Sequence, residues 1–276
     1  MTEHAIRKVD NKRVTDFIGL NDHKLRQKRE RPGEDMAGFF IGEGVTVIER
    51  AMQAGHALLI LIINEQFNLS RFGNLPADVE ILRCGREVLE AISGRPDLKD
   101  PIGSFRRPVE TSLSSVIDNS KTLLLTESVQ NPTNMGMIMR NAAAFGVDAV
   151  CVDSFSCDPL YRRAVRVSMG QVFAVPHVRV NAIPETLEIL EEKEFQTVAL
   201  TPDKAADELQ IVLQRETGPI ALIVGSEGSG LSQEILDATQ QHARIPMMDN
   251  VDSLNVATAV AVALYAVNNC RRSRYG

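Results

Sequence analysis

From residue 122 onward, short apolar runs alternate with segments of helical period, and this alternation constrains the fold more than any other feature of the chain. Residues 122–126, 147–152, 197–200, 220–224 and 242–245 read as strands. Residues 135–145, 159–169, 183–193, 231–239 and 254–268 read as helices. Strands that are apolar throughout belong to sheets covered on both faces, so an α/β domain with a parallel sheet is predicted. Ligands of such sheets bind beyond the C-terminal ends of the strands, which is where chemically informative residues are to be sought.

The first half is less regular. The first 30 or so residues are expected to be helical and basic, ending in a turn at Arg31-Pro32-Gly33-Glu34-Asp35. Strand-like residues 39–41, 57–63 and 79–82 and helix-like residues 44–54 and 86–92 predict a small α/β domain. Gly94-Arg95-Pro96-Asp97 and Lys99-Asp100-Pro101 interrupt it, and residues 107–120 read as a linker. The expected organisation is therefore a basic extension over 1–35, a small domain over 36–110, a linker over 111–120 and a second domain over 121–276.

A net charge of −6 and a pI near 5.5 argue, as averages, against nucleic-acid binding. The charge is unevenly spread, however. Residues 1–31 carry nine Lys/Arg, Arg26 and Arg29 among them, against five acids, and Arg162, Arg163 and Arg166 form a second basic cluster. These arginines are candidate RNA contacts, with a solvated helix face as the bland reading. No apolar run reaches the roughly 18–20 residues of a membrane span, and the N-terminus has no apolar core of a secretion signal. Cys84, Cys151, Cys157 and Cys270 lack metal-ligand spacing, so no metal and a cytoplasmic location with reduced thiols are expected.

Three stretches carry chemistry. In the first, Asn131-Pro132 turns the chain after a strand, Asn134 is placed to cap the next helix, and Gly136 and Arg140 share a helix face. Arg140 could there reach a phosphate or substrate oxygen with its planar fork, or simply cap a surface carboxylate. In the second, an apolar strand runs into Gly225-Ser226-Glu227-Gly228-Ser229-Gly230. Such a loop can cradle a ligand with its amides, but its glycine spacing matches neither a dinucleotide fingerprint nor a phosphate loop. In the third, Ile245-Pro246-Met247 leads through Ser253-Leu254-Asn255 into an Ala/Val helix. Ser253 fits an N-cap, while Asn255 is a polar first-turn residue on a helix apolar enough to need enclosure on every side, including by a second subunit.

In this order the three stretches resemble the signature motifs of the SpoU (TrmH) methyltransferases of the SPOUT superfamily. The resemblance rests on Asn134-x5-Arg140, Gly225-Ser226-Glu227-Gly228 and Ile245-Pro246-Met247…Ser253-Leu254-Asn255, and covers about residues 120–270. It implies a deep trefoil knot in the parallel-sheet domain, a homodimer, and S-adenosylmethionine bound in the knot without a metal. Residues 36–110 resemble, less specifically, an L30e-like RNA-binding domain. By position Gly225, Ile245, Met247, Ser253 and Leu254 match the cofactor contacts, and Asn134, Arg140, Glu227, Ser253 and Asn255 the catalytic set. Family members often carry an acid where this chain has Asn131.

The resemblance implies methylation of a ribose 2′-hydroxyl in structured RNA, ribosomal RNA first and tRNA second. Such a hydroxyl is a poor nucleophile that must lose its proton as it attacks. An arginine is an unusual base, so Arg140 is expected to be essential with help from the phosphate or the cofactor. The alternative is a non-catalytic RNA-binding or ribosome-assembly protein on the same fold.

Overall fold

The computed structural model describes residues 1–20, 34, 36–95, 97–215 and 218–275. The chain divides into two compact units, Met1–Val109 with Leu160–Gly170, and Glu110–Pro159 with Gln171–Gly276.

The first unit is built on a five-stranded mixed sheet. Its elements are β1 (Thr2–Ile6), β2 (Phe39–Glu43), α1 (Val45–Gln53), β3 (Leu58–Asn64), β4 (Glu80–Cys84), α2 (Arg86–Ser93) and β5 (Ile102–Arg106), in the spatial order β1-β4-β3-β5-β2. β1, β4 and β3 run parallel, whereas β5 is antiparallel to both β3 and β2. Ile41, Ile62, Leu82 and Ile102 on the sheet pack with Val88, Leu89 and Ile92 of α2 on one face. On Phe40 and Phe105 the rings stack at 5.0 Å.

Two expectations fail here. Residues 2–6 form a strand, not a helix: they pair with β4 from Thr2↔Glu80 to Ile6↔Cys84, so the start of the expected extension completes the sheet. The basic residues from Arg7 onward made the first 30 residues read together as a solvated helix, but pairing to a sheet edge overrides local propensity. The second is an omission: β5 lies inside the sheet although residues 102–106 carry no strand assignment from the sequence. Gly103 is the reason it was hidden. A Cβ there would lie 2.8 Å from the Phe105 ring and 3.0 Å from Leu58, so close packing demands the residue that weakens the strand pattern.

The second unit holds a seven-stranded, all-parallel sheet, as the alternation predicts. Its elements begin with α3 (Leu113–Ile117), a short helix within the expected linker, followed by β6 (Thr122–Thr126), α4 (Pro132–Phe145) and β7 (Ala149–Asp153). The chain then passes through α5 (Arg162–Val167), which belongs to the first unit and is shorter than the helix expected over 159–169. It continues as β8 (His177–Val180), α6 (Ile183–Glu192), β9 (Gln196–Leu200), β10 (Asp207–Glu208), α7 (Leu209–Arg215), β11 (Ile220–Val224), α8 (Gln233–Ala238), β12 (Gln241–Arg244) and α9 (Val256–Tyr275). The strand order is β10-β12-β9-β11-β6-β7-β8. Since every pair is parallel, the loops following β12, β11, β6 and β7 leave from one edge. Leu123, Leu125, Ala149, Cys151, Ala221 and Ile223 form the core with Leu187 and Leu190 of α6. Burial pushes the Cys151 thiol up to about 12 and the Cys84 thiol likewise to about 12, so both are inert protonated hydrophobes.

Candidate functional site at one edge of the parallel sheet

The loop after β6 opens the site. Asn131, not Asn134, caps α4: its side-chain oxygen accepts the Thr133 N–H at 2.8 Å, with Pro132 at the first helical position. An asparagine caps as well as an acid at this position. Asn134 therefore sits inside the first turn, buried, with its side chain turned to a different partner.

That partner is Asn255. Its Nδ2 donates to Asn134 Oδ1 at 3.2 Å, while its own Oδ1 accepts the N–H groups of Ala257 at 3.0 Å and Thr258 at 3.3 Å. Asn255 is thus the cap of α9, which starts at Val256, and Ser253 is an exposed loop residue rather than the expected cap. The asparagine wins because its amide carries both an acceptor for the helix amides and a donor for Asn134, which a serine hydroxyl cannot supply together. Asn141 Nδ2 on the Ala257 carbonyl at 2.9 Å and Asn268 Nδ2 on the Phe145 carbonyl at 3.3 Å hold α4 and α9 together further along. Arg140 is exposed on α4 and makes no ion pair or side-chain hydrogen bond among the described residues.

After β11 the chain folds back on itself. Ser226 and Gly230 exchange backbone hydrogen bonds, each 3.2 Å, and the Ser226 and Ser229 hydroxyls meet at 2.8 Å. A Cβ on Gly225 would lie 2.2 Å from the Gly230 carbonyl, so glycine is obligatory for this closure. Glu227 and Gly228 lie exposed at the tip. Ser232 caps α8, which begins two residues later than expected. After β12, Ile245, Met247 and Leu254 are half-buried, and Met248 is 77% exposed. The backbone amides of Met247 and Leu254 have no hydrogen-bond partner among the described residues.

The site thus brings Asn134 and Asn255 into contact and sets the Gly225 and Ile245–Leu254 loops along the same edge, with β9 between their strands. Of the candidate RNA contacts, Arg26 and Arg29 lie outside the described residues. Arg162, in the first unit, is committed to an ion pair with Glu43, whose side chain is only 2% exposed. Arg95 and Arg166 pair with the same carboxylate. Burial alone would raise the Glu43 carboxyl, but Arg162, Arg166 and Arg95 overcome it and leave the group below its ordinary value. Arg163 and Arg166 are exposed.

Two acids escaped the sequence reading. Glu127 Oε2 accepts the Ser232 N–H at 2.8 Å, tying the loop after β6 to the loop after β11. Asp153, buried, accepts the N–H groups of Ser128 at 3.1 Å and Ser156 at 2.9 Å, tying the loop after β6 to the loop after β7. Both stand at the ends of strands, and Asp153-Ser154-Phe155-Ser156 has the composition of a side-chain-closed turn, which was the available signal. Among the described residues no group of His, Cys, Asp or Glu could hold a metal ion, and no helix is long and apolar enough to cross a membrane.

Residues 22–98 match the MRM3-like substrate binding domain. The chain is 35% identical to an uncharacterized tRNA/rRNA methyltransferase of Mycobacterium bovis, over 93% of this chain and 88% of that one. It is 27% identical to the 23S rRNA (guanosine(2553)-2′-O)-methyltransferase RlmP of Bacillus subtilis, over 94% and 97% of the two chains. A solved RNA 2′-O ribose methyltransferase superposes with a TM-score of 0.75 at 28% identity, covering 98% of this chain and 100% of that one. With residues 121–265 matching the SpoU rRNA Methylase family as a whole, the chain belongs to that family.

Proposed function

We propose that the protein transfers a methyl group from S-adenosylmethionine to a ribose 2′-hydroxyl of structured RNA, ribosomal RNA in the first instance and tRNA in the second. The observation that carries this reading is the Asn134–Asn255 hydrogen bond that joins α9 to α4, the helix whose exposed Arg140 has no side-chain partner among the described residues. An exposed guanidinium without a side-chain partner among the described residues is available to an incoming phosphate or ribose oxygen.

The loops suit the cofactor. The amides of Met247 and Leu254, without a partner among the described residues, and the half-buried side chains of Ile245 and Met247 are the donors and apolar walls that an adenine-bearing group needs. Gly225, Ile245, Met247, Ser253 and Leu254 would hold it. When bound, it supplies an electrophilic methyl on a sulfonium.

The residues of the chain then act by placement. Arg140 binds and orients the substrate phosphate, and the 2′-hydroxyl proton passes to a phosphate oxygen and on to water, because a charged guanidinium has no lone pair to accept it. Asn134 and Asn255 fix the start of α9 against the first turn of α4, the helix that carries Arg140. Ser253 and Glu227 orient the ribose and the loop. Alignment of the hydroxyl with the methyl provides most of the acceleration.

The reading also includes a homodimer and a knotted C-terminal domain. Val262 and Tyr265 on α9 are 41% and 60% exposed, and Met137 on α4 is 38% exposed, an apolar surface suited to a second copy. A small RNA-binding role for the first unit is supported by the substrate-binding match.

The test is methyl transfer from labelled S-adenosylmethionine to unmodified ribosomal RNA and tRNA, followed by nucleoside analysis, with Arg140→Ala alongside. A 2′-O-methylated nucleoside that disappears in the variant is the expected result. RNA binding without transfer to either substrate would instead favour an assembly protein.

A further inference from the structure

The loop after β7 presents a large apolar side chain to solvent and spends an unusual number of hydrogen bonds in doing so. Phe155 is 72% exposed. Its own N–H is accepted by Asp153 at 3.3 Å, the Ser156 N–H by Asp153 at 2.9 Å, and the Ser156 hydroxyl accepts the Val129 N–H at 2.8 Å. Cys157 adds a backbone bond to the Val129 carbonyl at 2.9 Å. On the strand beside it, Arg179 Nη1 donates to the carbonyls of Asp153 at 2.6 Å and Ser156 at 3.1 Å. Arg179 is exposed and has no ion pair among the described residues, so most of its guanidinium remains free beside the phenyl-bearing turn.

An exposed phenylalanine costs solubility and gains nothing in the core, so a turn this firmly closed around one needs a reason. A rigid aromatic face next to an unpaired guanidinium is the pairing that recognises a nucleotide: the base stacks on the ring and the phosphate meets the cation. The position agrees. Ser128 and Val129 connect this turn directly to Asn131 and α4, and Glu127, one residue earlier, is bonded to the loop after β11. The turn is therefore clamped to the flank of the site rather than hung from a flexible loop.

We infer that Phe155 and Arg179 form a nucleotide subsite that docks an unpaired RNA base neighbouring the modified one, Phe155 by stacking and Arg179 by contact with its phosphate. This deepens the methyltransferase reading and rests on it for the identity of the neighbouring nucleotide.

The chain contains no tryptophan, so Phe155→Trp introduces a single reporter at the proposed stacking face. The full-length variant is titrated with in vitro-transcribed ribosomal RNA and with a tRNA transcript, following indole fluorescence. Saturable quenching by at least one RNA is expected. Phe155→Leu, which keeps an apolar side chain but no ring, should weaken affinity for that RNA about tenfold, and Phe155→Tyr should restore it. Arg179→Ala should reduce the slope of log affinity against log salt by about one. Absence of quenching, or a Phe155→Leu protein that binds as tightly as wild type, overturns the subsite. A change in oligomeric mass on Phe155→Leu would overturn it in favour of a protein contact. Quenching without methyl transfer by the wild type leaves the subsite standing and removes the methyltransferase reading, so the two failures are separable.

Discussion

Asn255 and Asn134 meet side chain to side chain at 3.2 Å, and the orientation of the Asn255 amide is fixed by the rest of its bonds. Its oxygen faces the N–H groups of Ala257 and Thr258, so its nitrogen must face Asn134. One side chain therefore both starts α9 and locks it to α4, the helix that carries Arg140.

These two duties can be separated. Asn255→Asp keeps the acceptor for the helix amides but has no hydrogen to give Asn134. It should melt within about 0.5 kcal/mol of wild type, since a carboxylate is welcome at a helix N-terminus. Methyl transfer should nevertheless fall at least about a hundredfold, from the loss of precise alignment. Asn255→Ala should lose transfer and also about 1 kcal/mol of stability. Thermal melts and single-turnover rates on the two variants check this; equal stability losses would mean the bridge to Asn134 is structural only.

Gly225→Ala meets backbone atoms, not flexible side chains, at 2.2–2.4 Å. The 226–230 turn must open to admit the methyl, at a cost of about 1–3 kcal/mol. Cofactor affinity, measured by calorimetry, is expected to fall by more than tenfold while the parallel sheet stays folded by circular dichroism.

Glu43 pairs with three arginines from a position almost closed to water. Glu43→Gln should cost about 3 kcal/mol, because it leaves Arg162 buried without its counter-charge. The pH dependence has a definite sign. The folded carboxyl titrates below its ordinary value of 4.5, so the unfolded chain binds the proton first as pH falls. The stabilisation is whole above that ordinary value and declines as pH drops through the folded one. Denaturant melts between about pH 6 and pH 3 should show this decline in wild type and a flatter profile in Glu43→Gln.

Tyr265 is the most exposed large side chain of the apolar surface on α9, its ring set edge-on to Phe145 at 6.2 Å. Tyr265→Arg should convert a dimer to a monomer in sedimentation experiments if this surface is the subunit contact, and leave the melting of an isolated protomer within a few degrees. An unchanged mass would place the dimer contact elsewhere.

The parallel sheet was legible because its strands are buried on both faces and so are apolar at every position, as in Leu123-Leu124-Leu125 and Ala221-Leu222-Ile223-Val224. Local signals served less well where a distant partner decides the structure. β1 is a strand because β4 offers an edge, and β5 is one because Gly103 admits Phe105. The candidate site was legible as residue types but not as roles. Asn134 and Ser253 both carry good capping side chains, yet the caps fell to Asn131 and Asn255, because capping is local whereas the Asn134–Asn255 bond joins residues 121 positions apart. Glu127 went unnoticed for the same reason, since it bonds to a backbone amide 105 positions away, whereas the local turn at Asp153 did leave its mark in the composition of residues 153–156.

The excursion of Leu160–Gly170 into the first unit has a consequence for inheritance. A recombination that cut only near residue 110 would separate Glu43 from Arg162 and leave α5 behind as an orphan with Ala164 and Val165 stripped of cover. The first unit can be traded between relatives only as two pieces of gene, one of them embedded in the other unit's coding sequence. Selection on the first unit therefore acts also on the codons of Leu160–Gly170 within the second half, and lineages should exchange the whole chain more readily than either half.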